Sequence, residues 1–442
     1  MRKVLFVGFF VLMLVLVFAP RIGASPDNIH VPYDYLTIQA AINAAGVGDT
    51  IIVHSGIYNE HIVIDKELVL TGEDQTAIID GDGTDTVVNI TSSGVLVRGF
   101  TIRNAGSNWT QRDSGIYLKN RQFCHLESNY IENCRLGIYL LGSSHIEIVG
   151  NVLANNVEGI RLDNSPENTV AFNSIVENGY NLVLSNSDLN GVKGNYIANA
   201  TYSGIHIQAF STNNTIYGNM IKNCSTGVVL SQSDDNIFYH NSFIENADQA
   251  WFGASFDNVW NIDWPDGGNY WSDHSNVDVK SGQYQMGTGS DGICDSAYSV
   301  DVGNMDMYPC AGPVSYFGVE FIVPEDIVVI SNSSISEFQM NTTAKTITFL
   351  ATGDPGVGFS RVDIPSSVAS GLWLGNYRVL VNGVPISFGN WTAGSMTYIY
   401  FSYEHSTEEI VIVPEFPLMV LLPLFILTSL LATTYHRRNR RL

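Results

Sequence analysis

Tyr117, Tyr139, Arg161, Val183, His206 and Val229 follow one another at intervals of 22 or 23 residues, each the third residue of a Gly-Ile-x-Leu-like tetrad. Asp163 and Gln208 stand two residues beyond Arg161 and His206. Aromatic rings, a guanidinium, an imidazole, a carboxylate and an amide at a fixed interval suit an extended, hydroxyl-rich ligand. Sugar rings lie against aromatic faces, and the polar side chains donate to and accept from hydroxyls. The candidate ligand-binding residues are therefore Tyr117, Tyr139, Arg161, Asp163, His206 and Gln208. The interval also predicts Tyr117 and Tyr139 to be neighbours, forming an open platform for a sugar ring.

Catalytic sets are harder to find. A glycosidase needs two carboxylates at a defined separation. A lyase acting on an acidic polysaccharide needs a base and a means of neutralising the uronate. Arg161 with Asp163, or Asp234-Asp235, offers material for such roles, but Asp234-Asp235 falls in the ordinary polar turn after a tetrad. No catalytic residue is assigned. A polysaccharide lyase or hydrolase remains the alternative to a binding or structural role.

Metal chemistry points to the segment holding Asp291, Asp295, Asp301 and Asp306. Asp291-Gly292-Ile293-Cys294-Asp295 sets two carboxylates around a glycine turn, and hard oxygen ligands on a tight loop suit calcium. The ligand positions are not those of an EF-hand. Copper calls for His, Cys and Met ligands. The 10 His are scattered, with no His-x-His or Met-x-x-Met run, so copper is not expected. The 5 Cys show no zinc spacing, and leave Cys294–Cys310 or Cys124–Cys134 open as disulfides. Trp251, Trp260, Trp264 and Trp271 form a late cluster suited to core or to a glycan platform.

These residues need a scaffold, and the repeat supplies it. Tetrads start at Gly115, Gly137, Gly159, Asn181, Gly204 and Gly227. Each is followed by an Asn-x-Ile-like step at Asn129, Asn151, Asn173, Asn195, Asn219 and Asn241, then by a second Asn at 133, 155, 178, 199, 223 and 246. Short alternating apolar stretches are strands with one buried face. Units this short cannot bury a core alone, so they must stack. The expected fold is all-β: a right-handed parallel β-helix with coils of about 22 residues. Stacking makes Ile116, Ile138, Ile160, Leu182, Ile205 and Val228 one interior ladder, and the Asn-x-Ile asparagines a ladder at a left-handed turn. Leu36–Ala45 reads as an amphipathic helix capping the open end. After Pro313 the alternating runs Ile347–Leu350, Tyr377–Val381 and Thr397–Phe401 predict a β-sandwich acting as a stalk.

The opening Gly48-Asp49-Thr50-Ile51-Ile52-Val53 and Gly56-Ile57-Tyr58-Asn59-Glu60 resembles the start of pectin-lyase-like β-helix proteins. With the Gly-Ile-x-Leu and Asn-x-Ile coils, residues 29–312 resemble the NosD family of carbohydrate-binding and sugar-hydrolase repeat proteins. The resemblance implies a three-sided helix, and a copper-site accessory role as a further alternative. Gly268-Asn269-Tyr270-Trp271 through Asp306-Met307-Tyr308-Pro309 resembles the C-terminal collar of that family. Cys294 stands there where Gly is usual and Cys310 where an apolar residue is usual, two departures that favour a Cys294–Cys310 bridge.

Both ends carry membrane signals. Residues 1–24 read as a signal peptide: Arg2-Lys3, an apolar run, then Gly23-Ala24. Near the other end, Leu418–Tyr435 is apolar and long enough to span a bilayer. A basic tail from His436 to Arg441 follows, and the positive-inside rule places it in the cytoplasm. Val413-Pro414-Glu415-Phe416-Pro417, the apolar run and this tail resemble the PEF-CTERM sorting signal of archaeal surface proteins, which implies processing by a sortase-like enzyme. Sequons at Asn89, Asn108, Asn199, Asn213, Asn223, Asn332, Asn341 and Asn390 fit an exported glycoprotein. The formal net charge of −22 excludes nucleic acid as a partner. The expected layout is a signal peptide (1–24), β-helix (25–312), β-sandwich stalk (313–412) and sorting signal (413–442) with a transmembrane helix (418–435). The expected protein sits on the outer cell surface and binds extracellular polysaccharide or cell-envelope glycan without catalysis, or is structural.

Overall fold

The computed structural model describes residues 28–415. The signal peptide, the 418–435 span and the basic tail lie outside these residues. No described helix is long and apolar enough to cross a membrane.

Residues from Asn28 to Trp271 wind through three parallel sheets of 10, 9 and 10 strands. Every strand pairs with its equivalent in the next coil. Ile116 faces Ile138, which faces Ile160, then Leu182, Ile205 and Val228. All six are fully buried, as are Leu118, Leu140, Leu162, Leu184, Ile207 and Leu230. The sequence period therefore becomes two continuous apolar ladders. Branched side chains stacked in register fill the interior of coils that could not fold singly.

The asparagine ladder is present and continuous. Asn129, Asn151, Asn173, Asn195, Asn219 and Asn241 each donate an amide hydrogen to Oδ1 of the next, and the last donates to Asn269. The backbone N–H of each also donates to that oxygen. The left-handed residue is the one before: Ser128, Gly150, Phe172, Gly194, Gly218 and His240 have positive φ. The ladder asparagines themselves are buried acceptors and donors, not αL turn formers as expected. The second set divides. Asn133, Asn155, Asn199 and Asn223 take the left-handed region, whereas Asn178 and Asn246 are buried.

The capping helix runs Ile38–Ala44, with Thr37 as N-cap and Ile38, Ala41 and Ile42 buried on the open end. Glu60 accepts from the backbone N–H of Ile38 and Gln39 at 2.8 and 2.9 Å, satisfying donors that a helix start leaves free. At the other end the core closes on stacked aromatics. Phe243 lies on Trp271 (ring centroids 4.3 Å apart), and Trp271 on Tyr298 (4.4 Å). Trp260 and Trp271 are buried core, while Trp251 is 51 % exposed.

Beyond Pro313, two five-stranded antiparallel sheets share one core containing Ile327, Val329, Ile347, Phe349, Ile399 and Ile410. This unit is fastened to the helix rather than held away from it. Arg361 is fully buried and ion-paired to Asp363, with Nε 2.7 Å from Oδ1. It also donates to the carbonyls of Asp291, Pro265 and Asp266. The Lys193 ammonium lies 3.5 Å from Asp326, and Tyr316 packs edge-on against Tyr217 of the helix wall.

Candidate functional site

The 9-stranded sheet carries the tetrad strands, among them Ser114–Lys119, Leu136–Leu141, Glu158–Asp163, Tyr180–Ser185 and Ser203–Gln208. Tyr117 and Tyr139 are paired in register, and their rings stack with centroids 5.4 Å apart. They do not form an open platform. Tyr139 is 1 % exposed. Its hydroxyl donates to Asp163 Oδ2 at 2.8 Å, and the Arg112 guanidinium covers its ring. Burial, then the Asp163 carboxylate, pushes its hydroxyl well above the usual tyrosine range.

The cover is a loop that the repeat does not contain. Ile90 pairs with Leu118, 28 residues on, whereas Leu118 pairs with Leu140, 22 on. The extra residues form the turn 106–113. Asp113 anchors it by accepting from Asn108 N–H at 2.7 Å. Trp109 at its tip lies under the guanidiniums of Arg135 and Arg161, 5.0 and 5.3 Å from its ring.

Next to this cover the sheet opens into a cleft of about 150 Å³, lined by Glu158, Arg161, Tyr180, Val183, His206 and Gln208. Arg161 organises it. Its Nη1 is 3.0 Å from Glu158 Oε2, and its Nε is 2.9 Å from Asp163 Oδ1. The second contact is an ion pair whose angle falls outside strict hydrogen-bond geometry, and it occupies Arg161 Nε and Asp163 Oδ1 with each other. Ser203 Oγ and Arg135 Nε, behind the lining, are buried without a hydrogen-bond partner in the protein. Ser203 stands beside Tyr180 in the register. Burial opposes the Arg161 charge, but Asp163 and Glu158 outweigh it and hold the guanidinium firmly protonated. His206 is pushed down, first by burial and then by Arg161, so its imidazole stays neutral at neutral pH. Tyr180 and the 55 % exposed Tyr202 form an aromatic rim with ring centroids 4.8 Å apart.

Three of the six expected ligand residues thus line the cleft, Arg161, His206 and Gln208, while Asp163 sits behind it against Arg161 and Tyr139. Tyr117 and Tyr139 lie beyond the cover. Trp109, Glu158, Tyr180, Tyr202 and Ser203 were not singled out from the sequence. Of these, only the loop of Trp109 left a signal, the long interval before Gly115.

The four collar aspartates do not come together as a ligand set, and no three His, Cys, Asp or Glu among the described residues form a metal-holding group. Asp291 accepts from Trp264 Nε1, Gly282 N and Ile293 N at 2.9–3.1 Å. Asp295 accepts from the N–H of Val279 and Lys280. Asp306 accepts from Asn269 N and Trp271 Nε1, ending the asparagine ladder. Asp301 is exposed. The carboxylates engage protein donors rather than converging. Cys294 and Cys310 are not bonded, and all five cysteines are buried thiols. Ile293, not Cys294, bridges Cys310 directly. The two thiols donate to the carbonyls of Cys310 and Gly268 instead. Seven sequon asparagines are exposed, and Asn89 is half-buried.

A three-sheeted parallel β-helix with a polar cleft on one face defines the class of protein. The chain belongs to the NosD family: the family model described as periplasmic copper-binding protein (NosD) matches residues 42–276. The described residues do not fit a copper centre, since the cysteines are buried donors to carbonyls and no ligand group gathers. A cell surface glycoprotein of Methanothermus fervidus is 30% identical over 131 residues, 28% of this chain and 21% of that protein. The chain therefore spans about a fifth of that relative's length. Among solved structures, the Dettilon tailspike protein is similar at 12% identity and TM-score 0.41, over 87% of this chain and 93% of that one. The A-module of the Azotobacter vinelandii mannuronan C-5 epimerase AlgE4 is similar at 17% identity and TM-score 0.35, over 53% and 84%. Such distant likenesses say nothing about activity.

Proposed function

We propose that this is a cell-surface β-helix protein that binds glycan, without turning it over, in the cleft between Glu158 and Gln208. The observation that carries the reading is the cleft's lining, where Glu158, Arg161, His206 and Gln208 meet beside Tyr180. Sugar hydroxyls both donate and accept, so they suit a lining of carboxylate, guanidinium, imidazole and amide. Tyr180 and Tyr202 supply the stacking face. Catalysis is not part of the reading, because Glu158 and Asp163 both contact Arg161 and neither is a free acid or base. Export follows from residues 1–24, and anchoring from 413–442, with the membrane and a sortase-like enzyme as partners. The name of the Methanothermus fervidus relative agrees with a surface location.

A glycan array probed with the exported chain tests this. Tyr180→Ala and Gln208→Ala should each lower affinity for the captured glycan about tenfold while leaving the melting curve in place. Unchanged affinity in both variants would remove the cleft as the site.

A further inference from the structure

Lys193, Tyr217 and Tyr239 occupy one ladder position on successive coils of a 10-stranded sheet. The two tyrosine rings stack with centroids 5.1 Å apart, and Tyr316 of the sandwich meets Tyr217 edge-on at 5.6 Å. The three rings wall a cavity of about 240 Å³ at the seam between helix and sandwich, with Asp266, Glu325 and Asp326 in its lining. We propose that this cavity binds a small organic ammonium ion. It lies on a different sheet from the glycan cleft, and the proposal stands without the glycan reading.

The lining holds three carboxylates and no lysine or arginine. Lys193 stands beside it, 3.5 Å from Asp326, and offsets one of them. Arg361 reaches the Asp266 carbonyl, but Asp363 at 2.7 Å neutralises it. His240 also lines the cavity, and burial pushes its pKa down, so it is uncharged at neutral pH. Two negative charges therefore remain after Lys193 and Arg361 are counted. Acceptors remain as well. Glu325 Oε1 accepts from Ser367 and Asp266 Oδ1 from Tyr398, and the other oxygen of each has no donor among the described residues. A cation is attracted to the face of a tyrosine ring, most strongly where water is excluded. The fold already uses this attraction, with the Lys193 ammonium 6.0 Å from the Tyr217 ring centroid. The Tyr239 ring, one rung further on, has no lysine or arginine over it among the described residues. An ammonium ion in the cavity meets that ring and the carboxylates together.

Titration calorimetry of the purified chain tests the proposal with two probes: choline, and its neutral isostere with carbon in place of nitrogen. Choline should bind, and the isostere should bind at least about tenfold more weakly. Tyr239→Leu removes a ring face and Glu325→Gln a charge, and each should lower choline affinity about fivefold. Circular dichroism shows whether each variant folds, and if one does not, the other decides. Tyr180→Ala, in the glycan cleft, should leave choline affinity unchanged. Three results each overturn the inference: no binding of choline, an isostere bound as tightly as choline, or unchanged choline affinity in the folded variants. Loss of choline binding in Tyr180→Ala would place the ion in the glycan cleft and overturn it too. None of these results depends on whether the chain binds glycan.

Discussion

Replacing Asn195 with alanine should break the asparagine ladder at its centre. Asn195 is 1 % exposed. Its Oδ1 accepts from both Asn173 N and Asn173 Nδ2 at 2.9 Å. Its Nδ2 donates to Val170 O at 2.8 Å, Lys193 O at 3.1 Å and Asn219 Oδ1 at 2.9 Å. Truncation strands one backbone and one side-chain donor of Asn173 in a dry interior. Each buried donor left unmade costs about 1–3 kcal/mol, so the ladder term alone is roughly 2–6 kcal/mol. Asn195→Asp should be no rescue. It keeps the acceptor but turns a second oxygen toward Val170 O, Lys193 O and Asn219 Oδ1, all acceptors. Coils in a solenoid are stabilised by their neighbours, so the loss should be greatest near the break. Denaturant unfolding gives the total, and native-state amide exchange gives its distribution. A loss below about 1 kcal/mol, or exchange that rises equally in all coils, would refute the ladder as a cooperative element.

Arg361→Met should cost about 3–5 kcal/mol by leaving the Asp363 charge buried and alone. Arg361→Met with Asp363→Leu should recover the two-sheet core yet still lose the docking onto the collar carbonyls, read as faster proteolysis between residues 291 and 314. Asp306 is pushed up to about 7 by burial, against its four donors. The folded state therefore binds the proton more tightly than the unfolded chain. Stability from this group should be full below its ordinary pKa of 3.8 and fall as pH rises through about 7. Asp306→Asn should flatten that slope in a series of melting curves. Trp109→Ala should uncover the cation-stacked face of Arg161 and Arg135, detected as faster exchange at Tyr139 with the coils otherwise unchanged. All five cysteines should resist alkylation until the chain unfolds, because burial pushes their thiols up.

Much of the scaffold was legible. A strict interval with branched residues at fixed places leaves one economical solution, because each short coil can bury its apolar face only on a copy of itself. Hence Ile116 over Ile138, and Asn129 over Asn151, followed from counting. Strand runs such as Tyr377–Val381 followed from alternation. The roles within the repeat were harder. Asn and αL geometry are correlated, yet Asn129 turned its amide inward and left the left-handed position to Ser128.

The site was legible only where it shared the period. Arg161, Asp163, His206 and Gln208 were found because stacking puts them on one face. What the sequence could not decide was which part of that face stays open. This depended on Trp109, folded back over the sheet from outside the repeat, and on Glu158 and Asp163 both turning onto Arg161. It also could not foresee Arg361 crossing from the last domain to the collar. A period fixes positions along one axis. Contacts made by an insertion or a neighbouring domain depend on directions in space that no interval records. The tertiary structure therefore closed the Tyr117–Tyr139 stack and moved the candidate site to the cleft beside it.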